Sequence, residues 1–287
     1  MKRSRKVVVT ALAMVLGMFL SLAQAAEPIK IGVAAMISPK ETMKYYKQIL
    51  DFVGTKIGRP VEMVLKENYD EMDGMLDRGE VNVAFVCSGP YVKDKAKFGA
   101  ELLVAPQSYG QPFYHAYIIV HKDSPIKDLA GLKGKKFAFT DPKSNTGKLV
   151  PTYMVARDFN TTPEKFFGEV IYTHSHDKSM ESVAKKMVDG ASIDSLIYDY
   201  AAKKNPVYTQ LTRIIRKSPA YGIPPVIVKK DMDPALKEAL KKAFLSMHED
   251  PAGKAILDGI MVDKFIVPKD ADYNSVREMN DWLAKQK

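Results

Sequence analysis

The chain has 287 residues, 46% of them apolar and 27% charged, with 43 Lys and Arg against 34 Asp and Glu for a formal charge of +9, and it has one cysteine. A lone Cys87 excludes an internal disulfide, so stability must come from a buried apolar core. The basic excess forms no stripe with interleaved aromatics, because Lys alternates with Glu as in Lys237-Glu238; that excludes nucleic acid as partner and leaves a mild field that attracts anions.

Residues 1–25 have the form of a cleavable export signal: Lys2, Arg3, Arg5 and Lys6, an apolar run over 7–20, then Ala23-Gln24-Ala25. Such a run is shorter than the ~18 to 20 residues that span a bilayer, and no cysteine follows it to carry lipid, so the mature chain is expected to be exported and soluble. Its loss lowers the formal charge from +9 to +5. Beyond it, short apolar strands alternate with amphipathic helices, the pattern of α/β architecture with largely parallel sheets. Strands are predicted over 29–35, 61–65, 81–86, 116–120, 135–139, 170–173, 195–198, 214–216 and 226–228. Helices are predicted from Tyr45 to the stop at Gly58, over 69–78 before Gly79, from about Ser144, over 179–188 before Gly190, and over 234–247, 251–261 and 274–285, with Trp282 on the apolar side of the last. Two extended stretches, 118–123 and 218–225, bracket about 100 residues with their own alternation. They read as paired hinge strands between two lobes, 27–116 with 223–287 and 117–222, and small ligands bind in such clefts.

The segment from Asp141 to Pro151 carries the strongest chemistry. A strand ending at Phe139 leads into a turn with Ser144, Thr146 and Gly147 and then a helix, so amides and hydroxyls can converge on an anion at the positive helix end. The alternative is that Ser144 merely caps the helix. A nucleotide-binding phosphate loop is excluded, since no glycine lies five residues before Gly147 and Leu149 follows Lys148. Cys87-Ser88-Gly89-Pro90-Tyr91 follows a buried strand, where a Gly-Pro turn falls at the cleft; Cys87 itself suits a small buried hydrophobe. His174 and His176 lack a third ligand for zinc, and Ser175-His176-Asp177 is no catalytic triad because neighbours on an extended chain face opposite ways.

Six segments resemble the phosphate, phosphite and phosphonate type of periplasmic substrate-binding protein: Ile31-Gly32-Val33 with its following loop, Cys87 to Val92, residues 117–124, Asp128-Leu129 through Phe137-Ala138-Phe139, Asp141 to Pro151, and Ser175-His176-Asp177. Ser218-Pro219, Pro225-Val226-Ile227-Val228 and Asp250-Pro251 match as well. The resemblance implies the type II binding-protein fold, two lobes that are each a mixed, mainly parallel sheet flanked by helices. It implies a monomeric, non-enzymatic component of an ABC importer that needs no cofactor and no metal, captures phosphate, phosphite or a simple phosphonate, and hands it to a permease. Ser144, Asn145, Thr146 and Gly147 take the oxyanion-binding positions, with Asn145 where relatives carry a hydroxyl residue. His176 becomes an anion donor with His174 beside it, Ser88 and Tyr91 line the opposite wall, and Asp199 accepts from a protonated oxyanion. The stretch Tyr221-Gly222-Ile223-Pro224-Pro225 lacks the acid that pairs with an amine in aminoalkylphosphonate binders; this favours a compact ligand with Tyr221 closing over it. Tyr45, Tyr109 and Tyr114 read as packing. A second reading is a sensor that presents arsenite, bound through Cys87, to a membrane kinase; an enzyme would need a base that Cys87 lacks in the sequence.

Overall fold

The computed structural model describes residues 27–34 and 39–286, with side chains from Tyr46 onward after the gap. The export signal and the side chain of Tyr45 lie outside the described residues.

Strand β1 (Ile29–Ala34) buries every residue but Lys30, as a strand covered on both faces does. It pairs in parallel with β2 (Val61–Lys66) and β3 (Val83–Phe85), and α1 (Pro39–Ile57) and α2 (Tyr69–Arg78) make the crossovers. The bounds of α2 are local chemistry: Asn68 Oδ1 accepts the Asp70 amide at 2.7 Å, and Gly79 leaves the helix at φ 74. Next come α3 (Ser88–Phe98) and β4 (Glu101–Gln107), neither of them predicted; Pro90 sits in the first turn of α3, where a missing N–H costs nothing.

From β4 the chain passes through β5 (Phe113–Tyr114) into a second sheet, formed by β6 (Ala116–His121), β7 (Lys136–Phe139), β8 (Glu169–Tyr172), β9 (Gly190–Asp194) and β10 (Thr212–Lys217) in the order β10-β6-β9-β7-β8. Helices α4 (Val150–Phe159), α5 (Pro163–Phe166), α6 (His176–Ala184) and α7 (Ser195–Lys204) connect these strands. The chain returns through β11 (Tyr221–Gly222) to β12 (Val226–Val228), and β13 (Lys264–Ile266) completes a six-stranded first sheet in the order β13-β4-β12-β3-β1-β2. β5 and β11 pair antiparallel, Tyr114 opposite Tyr221, so they are the two crossings between sheets. Residues 118–123, expected as a hinge, instead fall mostly in β6, wholly buried between β9 and β10; the first crossing lies several residues earlier.

The first sheet is covered by α1, α8 (Pro234–Leu245) and α9 (Pro251–Gly259) on one face and by α2 and α3 on the other. Helix α10 (Asn274–Ala284), expected in the lobe of the first sheet, packs Val276 and Met279 into the core of the second, and Trp282 meets Tyr153 of α4 at 5.1 Å. None of the described helices is long and apolar enough to cross a membrane.

One correction bears on the site. The strand predicted over 195–198 is the start of helix α7, and the strand is β9, five residues earlier. The small residues Gly190, Ala191 and Ser192 fill it because β6 and β7 flank it closely: a Cβ on Gly190 would lie 3.1 Å from the Ile119 carbonyl. The apolar run Leu196-Ile197-Tyr198 belongs to a helix face.

Candidate functional site

β7, β8 and β9 are adjacent and parallel, so their carboxyl ends, the usual ligand side of such a sheet, bring three loops together. After β7 the chain re-enters helix as one π turn, Asn145–Leu149, that runs into α4. Ser144 caps it, its Oγ accepting the Gly147 amide at 3.0 Å; its hydroxyl hydrogen is not used in that bond and can donate. A Cβ on Gly147 would stand 1.7 Å from Thr140 Oγ1, so the turn closes only on glycine. Most loop amides are engaged within the protein: Ser144 with the Asp141 carbonyl at 3.0 Å, Asn145 with Cys87 Sγ at 3.4 Å, and Lys148 with the Ser144 carbonyl at 3.2 Å. The expected row of open amides is therefore mostly closed, and side chains carry the open hydrogen-bonding capacity.

Ser144, Asn145, Thr146 and His176 are fully buried. Of the nine buried side-chain atoms without a hydrogen-bond partner among the described residues, five cluster between the ends of β7 and β8 and the helices that follow: Thr140 Oγ1, Asn145 Oδ1, Thr146 Oγ1, Ser175 Oγ and His176 Nε2. Each such group costs about 1–3 kcal/mol, so their concentration makes this the candidate site, where a ligand can supply the partners. His176 opens α6. Its Nδ1 lies 3.0 Å from the Asp194 amide, which can only donate, so the ring proton sits on Nε2. Burial lowers its pKa to about 3, leaving a neutral ring with one N–H to offer.

Asp194, which sequence reasoning missed, ends β9. It is 1% exposed, accepts the Leu196 amide at 2.7 Å, and burial raises its pKa to about 7. Its charge reaches Tyr46, Tyr69, Cys87 and Tyr114, residues of the opposite wall and the first crossing. The signal for it was the strand register: with β9 placed five residues too late, Asp199 appeared at the strand end. Asp199 is instead in α7 and receives the Tyr117 hydroxyl at 3.3 Å.

Four other expected contacts are used elsewhere. The Tyr91 hydroxyl donates to Asp270 at 2.5 Å and its ring packs against Tyr273 at 4.7 Å, so it is a core tyrosine with a satisfied hydroxyl. Ser88 Oγ donates to the Gly222 carbonyl at 2.6 Å and ties α3 to the return crossing. Tyr221 is buried among Tyr114, Val276 and Met279. His174 is exposed at φ 60. Asn145 Nδ2 donates to the Tyr114 hydroxyl at 3.1 Å, which makes Tyr114 more than packing. Cys87 is fully buried, burial pushes its thiol up, and Sγ accepts the Asn145 amide, so the arsenite reading loses its exposed soft ligand.

The loop after β7 is also clamped to the first sheet's helices. Lys143 Nζ is 2.7 Å from Asp73 Oδ2 and pairs with Asp70, and the Tyr69 amide donates to Asp141 Oδ2 at 3.4 Å. Asp73 and Asp94 are nearly fully buried, and burial pushes both carboxyls up, Asp94 to about 8, with the Lys143 ammonium opposing the shift. Among the described residues no group of three or more His, Cys, Asp or Glu is placed to hold a metal ion.

The family model for the ABC transporter, phosphonate, periplasmic substrate-binding protein matches residues 31–273. The phosphonates-binding periplasmic protein of Escherichia coli is 29% identical over 174 residues, 59% of this chain and 51% of that protein, so the match spans about half its length. Among solved structures, a binding protein component of an ABC phosphonate transporter from Pseudomonas aeruginosa superposes with a TM-score of 0.84 at 22% identity, covering 90% of this chain and 87% of that one. PhnD1 from Prochlorococcus marinus, in complex with methylphosphonate, superposes with a TM-score of 0.80 at 18% identity, covering 90% and 98%. Similarity at these identities establishes the type II binding-protein fold. The chain belongs to the family of periplasmic substrate-binding proteins of ABC phosphonate transporters.

Proposed function

We propose that this protein is the periplasmic solute-binding component of an ABC importer and captures a small phosphorus oxyanion, phosphate, phosphite or a simple phosphonate, between the two lobes, one built on the six-stranded sheet and one on the five-stranded sheet. The observation that carries the reading is the pair of buried donors without a protein partner, Thr146 Oγ1 and His176 Nε2, at the carboxyl ends of β7 and β8. Both are neutral groups held by the fold, and bonds from fixed donors to an ionised oxygen are stronger than neutral ones. Ser144 adds its hydroxyl. The Asp194 carboxyl, which burial raises to about 7, accepts a P–OH when it is ionised; a fully ionised sulfate has no proton to share and meets repulsion there. Closure on the anion would present the face read by the permease, and export through the signal at 1–25 would place the protein in the periplasm.

Isothermal titration of the mature chain with phosphate, phosphite, methylphosphonate and sulfate tests the reading, alongside the Ser144→Ala, Thr146→Ala double variant. Expected are binding of at least one phosphorus anion, no comparable binding of sulfate, and a loss of roughly 10-fold or more in the double variant. Unchanged affinity in that variant would remove the loop after β7 from the site.

A further inference from the structure

The turn that carries the anion-binding hydroxyls is tied at alternate residues to the other lobe. The Tyr69 amide donates to Asp141 Oδ2 at 3.4 Å, Lys143 Nζ lies 2.7 Å from Asp73 Oδ2 and also pairs with Asp70, and the Asn145 amide donates to Cys87 Sγ at 3.4 Å. Ser144 and Thr146, the residues assigned to the oxyanion, alternate with these ties. Asp141 serves both sides at once, since its Oδ1 accepts the Lys143 amide at 2.7 Å and so sets the bend that sends the lysine across.

The first lobe is shaped to receive this loop. A Cβ on Gly89, in the first turn of α3, would stand 2.5 Å from the Lys143 carbonyl and 3.3 Å from the Asn145 amide nitrogen, so backbone meets backbone there and a glycine lets the loop rest on the helix. Asp73 of α2 and Asp94 of α3 lie against each other at 3% and 2% exposure, and the nearby Lys97 is engaged by Asp77. The Lys143 ammonium is thus the charge that answers a buried acidic pair, and withdrawing it leaves that pair uncompensated. The neighbouring pairs Lys97–Asp77 and Lys148–Glu164 each stay within one lobe, so a change in the angle between lobes does not touch them.

We propose that Lys143 is a positioning residue: with Asp70, Asp73 and the surface at Gly89 it latches the anion turn to the first lobe, and the breaking of that latch sets how fast the anion leaves. It makes no contact with the anion itself, because two carboxylates hold its ammonium. The proposal rests on the oxyanion reading above and adds the step that times release. An anion can meet Thr146 and His176 of the second lobe before the lobes come together, whereas the latch needs both lobes, so it acts on dissociation and little on encounter.

The test is stopped-flow kinetics on the mature chain with methylphosphonate and, in parallel, inorganic phosphate. The signal is an environment-sensitive fluorophore on Tyr109→Cys, an exposed position that faces Leu196 and Ile197 of the other lobe, while the buried Cys87 escapes labelling. Lys143→Met and Asp73→Asn should each raise koff roughly 10- to 100-fold with kon within about threefold of the parent. The Lys143→Met, Asp73→Asn double variant should release no faster than the faster single one, since both remove the same interaction. Gly89→Ala takes away no charge and keeps the test open if a charge variant fails to fold; by lifting the loop it should raise koff about fivefold or more. If the folded variants keep the parent koff, or if kon falls as far as koff rises, this inference falls and the oxyanion reading stands. If neither anion binds the parent protein by calorimetry, both fall.

Discussion

The two nitrogens of His176 have separate jobs, and two isosteric replacements can divide them. Nδ1 accepts the Asp194 amide at 3.0 Å and supports the fold, whereas Nε2 carries the proton and has no protein partner. His176→Asn keeps an acceptor near the Nδ1 position and deletes the outer donor; His176→Gln keeps a donor near Nε2 and deletes the acceptor. A hydrogen bond to a charged group contributes about 1.5–3 kcal/mol, so the Asn variant should bind the anion about 10- to 150-fold more weakly with little loss of stability. The Gln variant should keep most of its affinity but lose about 1–3 kcal/mol, because the Asp194 amide is left buried and unpaired. Calorimetry at pH 7 and thermal melts read the two quantities independently. Because burial holds the ring pKa at about 3, imidazolium formation should not tighten binding between pH 8 and pH 5. Asn affinity within twofold of wild type in a folded protein, or equal affinity losses in both variants, would refute the assigned tautomer and role.

Asp194 has a folded pKa raised to about 7, so its protonated form favours the native state; that stability is fully present below the ordinary carboxylate range and is lost as pH rises through about 7. Anion affinity should then fall by up to about tenfold per pH unit above 7, and Asp194→Asn, whose amide can donate to a dianion, should flatten the profile in pH-dependent titrations. Lys143→Met should lower stability by about 2–3 kcal/mol in denaturant melts, less than the ~3–5 of a fully buried pair, since the Lys143 side chain is 21% exposed and burial already pushes the Asp73 carboxyl toward its protonated form; no change would show that the clamp contributes nothing. Gly147→Ala should cost about 1–3 kcal/mol by overpacking and weaken anion binding, because the new methyl meets Thr140 and displaces the loop; wild-type affinity and melting temperature would refute the packing argument.

Local order was legible wherever adjacent residues decide it. The predicted bounds of α2 coincide with the Asn68 cap and the Gly79 turn, β12 falls where Val226, Ile227 and Val228 run together, and Trp282 lies on a packed face as its helical spacing required. The reading failed where two periods compete over a short run. Leu196-Ile197-Tyr198 is as apolar as a strand, and only the flanking β6 and β7 show that the smaller residues before it form the strand. That single shift exchanged Asp199 for Asp194. The failures at Tyr91 and Ser88 have another cause, since a hydroxyl near a cleft looks the same in sequence whether it meets a ligand or the protein.

By itself the sequence determined the alternation of strands and helices, the capped turn at Ser144 and the presence of His176 after a strand, because propensity, capping and periodicity act over a few residues. Only the tertiary structure decided which of those groups stay unpaired. The Tyr91 hydroxyl is satisfied by Asp270, 179 residues away, and Ser88 by Gly222, 134 residues away, while Thr146 Oγ1 and His176 Nε2 receive no such partner. Hydrogen bonds of that reach depend on how the two sheets pack across their crossings, and no local spacing encodes it.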